Sequence, residues 1–527
     1  MRNLFSLFLL FLLTVVRAQP STQSALLPMP NSIQTLKGMP CQLPASTTLY
    51  ADSDALRFSA ETICHILREQ MQLSCSLVNS PEKANIRLLI NPAIRGEEHY
   101  TLRIEKKGIT ISGSSAAAIY RGVMTFHQLL LGDACATRQR QLSPVFIDDS
   151  PRFPHRALMI DPARNFLPVE DVKFFIDQMA RYKYNILQLH LTDDQGWRIE
   201  IKKHPNLTPK DHFTQEQIKD LIEYAALRHI EIVPELDIPG HTVALLAAYP
   251  QVGCSSSDTI AKDVDKTTNL MLCAANEQAY LIYKDVIGEI ASLFPSRYIH
   301  LGGDEAAIEA NWTQCEHCRN LMKKMGYTQA SQLMIPFFDR MLGYVRENKK
   351  EAILWCELDN IRQPASKYLF PYPKDVTLVT WRMGLTPTCL DLTQQNGHPI
   401  IMAPGEYAYL DYPQLKGDLP EFNNWGMPVT TLEKCYQLDP GYGRDASAQA
   451  HILGVMGTMW GEAIKDMNRL CYMTYPRGLA LAEAGWTQMA HRDWESFKER
   501  MYPNLLYLMK QGVPLRVPFE IVERNKN

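Results

Sequence analysis

Eight short apolar runs separated by helical stretches constrain this chain more than any other feature. They are Ala157–Ile160, Ile186–Leu191, Ile230–Val233, Tyr298–Leu301, Ala352–Trp355, Thr377–Trp381, Pro399–Ala403 and Ile452–Thr458. A strand that is apolar along its whole length, rather than at alternate positions, is buried on both faces, as parallel strands are. Between the runs the pattern becomes helical. Over Thr214–His229, for example, Thr214 and Gln217 stand at the spacing of a capping box. Eight strands with intervening helices is the count of a (β/α)8 barrel, an α/β fold, and the sequence predicts one over residues 151–527. A doubly wound sheet is the competing arrangement, but no glycine-rich phosphate-binding sequence follows any of the eight runs.

Residues 19–150 read differently. Ile86–Ile90 and Tyr100–Ile104 look like strands, Gly108–Gly113 like the return arm of a hairpin, and Asp54–Met71 and Ser114–Leu131 like helices. That mixture predicts a small α+β domain, with no grouping of reactive side chains. Ahead of it, Arg2 precedes the apolar run Leu4–Val16, broken only by Ser6 and Thr14, and Val16-Arg17-Ala18 supplies a small residue for cleavage. Residues 1–18 therefore read as a secretory signal peptide, which places the mature chain in a periplasm or outside the cell. The run is shorter than the ~20 residues that span a bilayer, and no later stretch looks like a membrane span.

Charge narrows the partners. Lys plus Arg number 54 and Asp plus Glu 57, a net charge of −3, so there is no surplus of cations to neutralise nucleic-acid phosphates. Twelve cysteines in an exported chain allow disulfides. Cys254 and Cys273 flank a polar loop and are expected to pair. Cys315-Glu316-His317-Cys318 is a single C-x-x-C with no further pair of ligands evident nearby, so a local disulfide or two free thiols is expected there, with no metal and no cofactor.

In a barrel of this kind, reactive groups come from the C-terminal ends of the strands. Asp161 and Arg164 follow the first run, Asp193 and Asp194 the second, Glu235, Asp237 and His241 the third, and Asp304 and Glu305 the fourth. Trp355 and Glu357 end the fifth, Trp381 ends the sixth, Glu406, Tyr407, Tyr409 and Asp411 follow the seventh, and Trp460 and Glu462 the eighth. Singly these are ordinary loop residues, helix caps or core tryptophans. Together they predict a cup of carboxylates walled by indoles, with no set of histidines at metal-ligand spacing. Such a cup suits a sugar: the C–H face of a pyranose stacks on indole, carboxylates accept from its hydroxyls, and a carboxylic acid can protonate a glycosidic oxygen. Asp304-Glu305 is the sharpest feature. Adjacent residues in a strand point to opposite sides, so the usual retaining pair, about 5–5.5 Å apart across the bond, is hard to build from neighbours.

His300-Leu301-Gly302-Gly303-Asp304-Glu305 resembles the active-site signature of glycoside hydrolase family 20, the β-N-acetylhexosaminidases. The segments from Leu189 to Glu200 and from Pro234 to His241 are similar to the family's second- and third-strand motifs. Pro151-Arg152-Phe153 with Asp161-Pro162-Ala163-Arg164, Tyr409-Leu410-Asp411-Tyr412 and Trp460-Gly461-Glu462 resemble the opening and late ones. The likeness runs from about residue 150 to about 490, and the preceding α+β domain fits the family's usual accessory domain.

The resemblance implies a retaining enzyme without a protein nucleophile, in which the substrate's own 2-acetamido oxygen attacks the anomeric carbon to give an oxazolinium intermediate. It implies Glu305 as general acid and then base, and Asp304 as acceptor of the acetamide N–H. It implies Tyr409 as donor to the acetamide oxygen and Trp355, Trp381 and Trp460 as pocket walls. Arg164, Asp411 and Glu462 would grip hydroxyls of a terminal sugar, Asp193 and His241 would support the acids, and Trp425 would border the next sugar. The implied activity is release of terminal β-linked GlcNAc or GalNAc from a glycan. The alternatives are a lacto-N-biosidase-type member that releases a disaccharide and a carbohydrate-binding homologue without catalysis.

Overall fold

A computed structural model describes residues 25–132, 139–208, 211–254, 270–357, 371–418 and 426–522. The signal peptide expected over residues 1–18 lies outside them. The described residues divide into two compact units, one comprising those up to Ser150 together with Asp493–Lys510 and those from Glu520 on, the other those of Pro151–Arg492 with Gln511–Phe519.

The first unit holds a seven-stranded mixed sheet. Its strands are β1 (Ser32–Thr35), β3 (Ser46–Ala51), β4 (Ser74–Leu77), β5 (Ile86–Ile90), β6 (Tyr100–Glu105), β7 (Gly108–Gly113) and β9 (Val145–Asp149), in the order β1-β9-β6-β7-β5-β3-β4. The short strands β2 (Cys41–Gln42) and β8 (Gln141–Leu142) pair separately. The hairpin read from the sequence is the antiparallel β6–β7 pair. Helices Arg57–Met71 and Ala116–Gly132 belong to the same unit, and the second is apolar enough to bury Ala118, Ile119, Val123, Phe126 and Leu130. A disulfide joins Cys64 to Cys75.

Helix Trp494–Lys510 groups with this unit, whereas the sequence reading assigns everything from 151 to 527 to the barrel. Its buried polar residues explain the difference. Arg500 Nη1 donates to the Leu26 carbonyl and Asn504 Nδ2 to the Ala25 carbonyl, each at 2.8 Å, and the Tyr507 ring lies 4.9 Å from His127. Those partners are more than 370 positions away, so no local pattern could announce them.

The second unit is a closed barrel of eight parallel strands: β10 (His155–Ile160), β11 (Ile186–His190), β12 (Glu231–Ile238), β13 (Tyr298–Gly302), β14 (Glu351–Trp355), β15 (Thr377–Thr380), β16 (Ile400–Met402) and β17 (Ile452–Met459), with β17 pairing β10 to close it. Every apolar run read from the sequence is one of these strands. Ala157, Met159, Val233, Ile353, Val379, Ile401 and Met456 fill the interior, packed with Trp355, Tyr409 and Trp460. Burial at both faces provides the driving force, at roughly 25 cal/mol per Å² of apolar surface. Between β11 and β12, Thr214 and Gln217 form the expected capping box at the start of helix Gln215–Ala226. β12 changes register against β13 between Glu235 and Ile238. Such irregularities re-aim side chains beside functional sites. Among the described residues, no helix is long and apolar enough to cross a membrane.

Candidate active site

The end of β13 decides the geometry of the two adjacent acids. The strand ends at Gly302 in a sharp turn, with positive φ at three positions: +63° at Gly302, +98° at Gly303 and +47° at Glu305. Glycine reaches that region without strain, and at Gly302 nothing else fits, since a Cβ would lie 1.7 Å from Asp237 Oδ1. Asp237 Oδ1 also accepts from the Gly303 N–H at 3.2 Å, which pins the turn to β12. Asp304 and Glu305 thus lie past the end of the strand. Beyond the strand, alternation no longer applies, and both carboxylates approach one nitrogen: His241 Nε2 is 3.8 Å from Asp304 Oδ2 and 4.0 Å from Glu305 Oε2.

A chain of alternating charges runs behind that pair. Arg164 reaches Asp161 at 2.7 Å, Asp193 at 2.9 Å and Glu462 at 3.5 Å. Asp193 also meets His190 Nε2 at 2.9 Å and His241 Nδ1 at 3.3 Å. His190 Nδ1 lies 2.9 Å from Glu235, which takes further hydrogen bonds from Gln188 Nε2 and Trp355 Nε1, each at 2.8 Å. Burial of so many charges is tolerable only because each has an opposite neighbour.

The titrations follow from that arrangement. Burial opposes charge on His241, but Asp193 and Asp237 hold its imidazolium well above the ordinary histidine range. Burial likewise opposes charge on Asp193, and Arg164 and His241 hold it well below the ordinary carboxylate range. Burial would raise Glu235, yet His300 and His190 bring it down to about 2. Asp237 goes the other way: burial and the neighbouring Asp304 charge push it well up. Asp304 is itself raised by burial, an effect that His241 opposes and Glu305 reinforces.

The sign of the His241 shift gives a pH prediction. A histidine whose pKa is higher in the folded chain contributes stability that is full below its unfolded value of about 6.5 and is lost as pH rises through the folded value. The thermal midpoint is therefore expected to fall as pH is raised above about 6.5, and less steeply for His241→Gln. Identical slopes for the two proteins in a pH series of melting curves would remove the assignment.

The walls of the cup are aromatic. Trp460 lies 5.7 Å from Trp355, 6.4 Å from Tyr409 and 5.1 Å from His190, ring centre to ring centre, and Arg164 sits 5.1 Å from the centre of its ring. Trp381 packs against the same cluster and carries Arg382 over its face at 4.0 Å. Burial, with Tyr412, Asp411 and Asp304 nearby, pushes the Tyr409 hydroxyl well up, so it stays a donor. Among the buried polar atoms of the described residues with no hydrogen-bond partner within the protein are the acceptors Asp304 Oδ1 and Asp411 Oδ1 and the donor Trp381 Nε1, all at this cup. Buried polar atoms are nearly always paired, so these mark where a polar ligand belongs.

Residues 153–489 match the model of the glycosyl hydrolase family 20 catalytic domain, and residues 23–150 that of the family's domain 2. The chain belongs to glycosyl hydrolase family 20. It is 35% identical over 431 residues to a beta-hexosaminidase of Akkermansia muciniphila, covering 78% of this chain and 84% of that one. It is also similar to the solved structure of a GH20 exo beta-N-acetylglucosaminidase from Vibrio harveyi in complex with N-acetylglucosamine, with a TM-score of 0.79 and 28% identity over 96% of this chain and 80% of that one. A third likeness is to the Streptomyces plicatus N-acetyl-beta-hexosaminidase in complex with Thio-NAglucal, with a TM-score of 0.78 and 29% identity over 94% and 97% of the two chains.

In this family 20 member Arg164, Asp193, His241, Asp304, Glu305 and Glu462 are linked through charge contacts, and Trp355, Trp381, Tyr409 and Trp460 share one packed cluster, with Asp411 in the field of Glu462. Trp425 lies outside the described residues. Glu462 is the most exposed of the set, and Asp411 among the most buried. The sequence reading gave no role to Glu357 and did not notice Arg382. The two form an ion pair at 2.5 Å, and the Asp304 and Glu305 charges bear on Glu357. The signal available was position alone, since Arg382 directly follows the strand-end Trp381. His190 enters the sequence reading only within a motif and Glu235 only as one of the strand-end carboxylates, yet they carry the centre of the charge chain.

Folding brings His190, Asp193 and Asp237 together, and likewise Asp237, His241 and Asp304, each group with a single histidine. Asp193 pairs with Arg164 and with both histidines. The expected Cys254–Cys273 bridge is not formed. Both thiols are free and face Cys315 and Cys318, at 3.8 Å for Cys254–Cys318 and for Cys273–Cys315 and 3.6 Å for Cys273–Cys318. The C-x-x-C thus has two more cysteines beside it, supplied by a distant stretch of the chain.

Proposed function

We propose that this family 20 chain is an exported exo-β-N-acetylhexosaminidase that releases terminal β-linked GlcNAc or GalNAc with retention, using the substrate's acetamide as nucleophile. The supporting observation is that two buried acceptors without a hydrogen-bond partner, Asp304 Oδ1 and Asp411 Oδ1, lie in an indole-walled cup beside Glu305. An acetamide N–H suits the first acceptor and a sugar hydroxyl the second. Glu305 has about a quarter of its side chain exposed, against a tenth for Asp304, so it can reach a leaving oxygen at the rim.

In this reading Glu305 donates its proton to the glycosidic oxygen while the acetamide oxygen closes on the anomeric carbon. Asp304 accepts the acetamide N–H, and its charge balances the positive charge that develops on the ring. Tyr409 donates to the acetamide oxygen and Trp355, Trp381 and Trp460 enclose the group. Glu305, now ionised, takes a proton from the water that opens the oxazolinium ring. Asp193 and His241 hold the two acids in place. Arg164, Asp411 and Glu462 fix the hydroxyls of the terminal residue, which makes the enzyme exo-acting. The export assignment rests on residues 1–18 as a signal peptide.

A paired assay tests the reading. p-Nitrophenyl β-GlcNAc is expected to be hydrolysed to the monosaccharide, and the lacto-N-biose glycoside to be left intact. Release from the disaccharide glycoside alone would establish the biosidase, and release from neither the binding protein.

A further inference from the structure

We propose that Cys254, Cys273, Cys315 and Cys318 bind one zinc ion, which staples together the loops that carry His241 and the Asp304-Glu305 pair. Zinc bound by four thiolates is tetrahedral with Zn–S bonds of about 2.3 Å, which sets every sulfur–sulfur edge at about 3.8 Å. The sulfurs here lie 3.6 to 3.8 Å apart where measured, and all four fall within 4.8 Å of one another. Two disulfides would give two short separations and four long ones, whereas Cys273 is near-equidistant from Cys315 and Cys318.

The backbone presents the ligands as such a site needs. Cys315 is the cap residue of helix Glu316–Lys324, and Cys318 follows one turn later. Cys254 and Cys273 come from two segments paired antiparallel through Gly253 and Leu272. Three of the thiols are buried and Cys254 is half-buried, which leaves a way in. The Ala275 N–H bonds to Cys273, the kind of outer contact that steadies a thiolate ligand. Binding releases the four thiol protons to solvent and forms four Zn–S bonds with no change of oxidation state.

The position gives the ion a purpose. The Leu272 N–H donates to the Pro239 carbonyl at 3.1 Å, two residues before His241. The Leu272 carbonyl accepts from Trp312 Nε1 at 2.7 Å, and the Met271 N–H meets Asn311 Oδ1 at 3.3 Å. Asn311 and Trp312 lie between Glu305 and Cys315 on the loop that follows β13. Fixing the four sulfurs therefore fixes both loops at their outer ends.

The test is made on the wild-type protein recovered from its export compartment without chelators. Elemental analysis is expected to give one zinc per chain, and disulfide mapping to find none of Cys254, Cys273, Cys315 and Cys318 in a bridge. After removal under denaturing conditions, cobalt(II) added on refolding is expected to bind one per chain, with thiolate-to-cobalt absorption that zinc bleaches. The metal-free protein should melt at lower temperature and recover on zinc addition. The double variant Cys315→Ser/Cys318→Ser should lose the ion. A disulfide among these four cysteines in the wild type, bound iron in place of zinc, or four free thiols that fail to take up zinc or cobalt would each overturn the proposal, whether or not the variant folds and whatever sugar the enzyme cleaves.

Discussion

Glu305→Gln is expected to lower kcat on an unactivated β-N-acetylglucosaminide by about 10²–10⁴-fold, the usual contribution of a positioned general acid. The amide is nearly the same size as the carboxyl, so ground-state binding should survive. The loss should be smaller on a substrate whose leaving group needs no proton, because the first step then proceeds without the acid. The single-turnover rate on both substrates checks this. Full rate on the unactivated substrate would move the acid to another residue, and Glu357 would be the next candidate, since it lies in the field of Asp304 and Glu305 and is paired with Arg382.

Asp304→Asn is expected to cost about 10²–10³-fold in kcat, the range seen when one group aimed at transition-state charge is removed. Here the pattern differs from Glu305→Gln, because the acetamide must be oriented whatever the leaving group, so both substrates should suffer alike. An amide at this position also presents an N–H₂ group where the acetamide N–H needs an acceptor. A thiazoline mimic of the intermediate should inhibit the wild type and bind the variant less tightly. An unchanged rate, or equal inhibition of both proteins, would reject the orienting role.

The two variants share a background that neither alters. His241 stands within 4.0 Å of both acids, and Asp193, itself paired with Arg164 and His190, holds it there. Removal of an inner member of that chain would leave a buried charge unpaired and so confound catalysis with stability. Glu305 and Asp304, at its outer end, are the cleaner tests.

Much of this was legible before any coordinates. The eight apolar runs stated the number, direction and burial of the barrel strands, because two-sided burial is written in every residue of a run. Position just past each run named the carboxylates and indoles of the mouth, because the fold puts all those ends together. The capping box at Thr214 and the β6–β7 hairpin were equally local and were read correctly.

What the sequence could not express was anything that depends on partners far apart in the chain. Strand alternation does not govern Asp304 and Glu305, because they lie past a left-handed turn at Gly302 and Gly303 that Asp237 pins from a neighbouring strand. The Cys254–Cys273 pairing failed for the same reason: closeness in sequence suggested a bridge, while the tertiary structure set both against Cys315 and Cys318. Helix Trp494–Lys510 went to the other unit through carbonyls at Ala25 and Leu26. The sequence by itself determined the barrel and the inventory of its mouth, since periodicity and strand-end position are local quantities. Only the tertiary structure decided which charges oppose which and which thiols meet, since those depend on strand order and loop closure that no short stretch of chain contains.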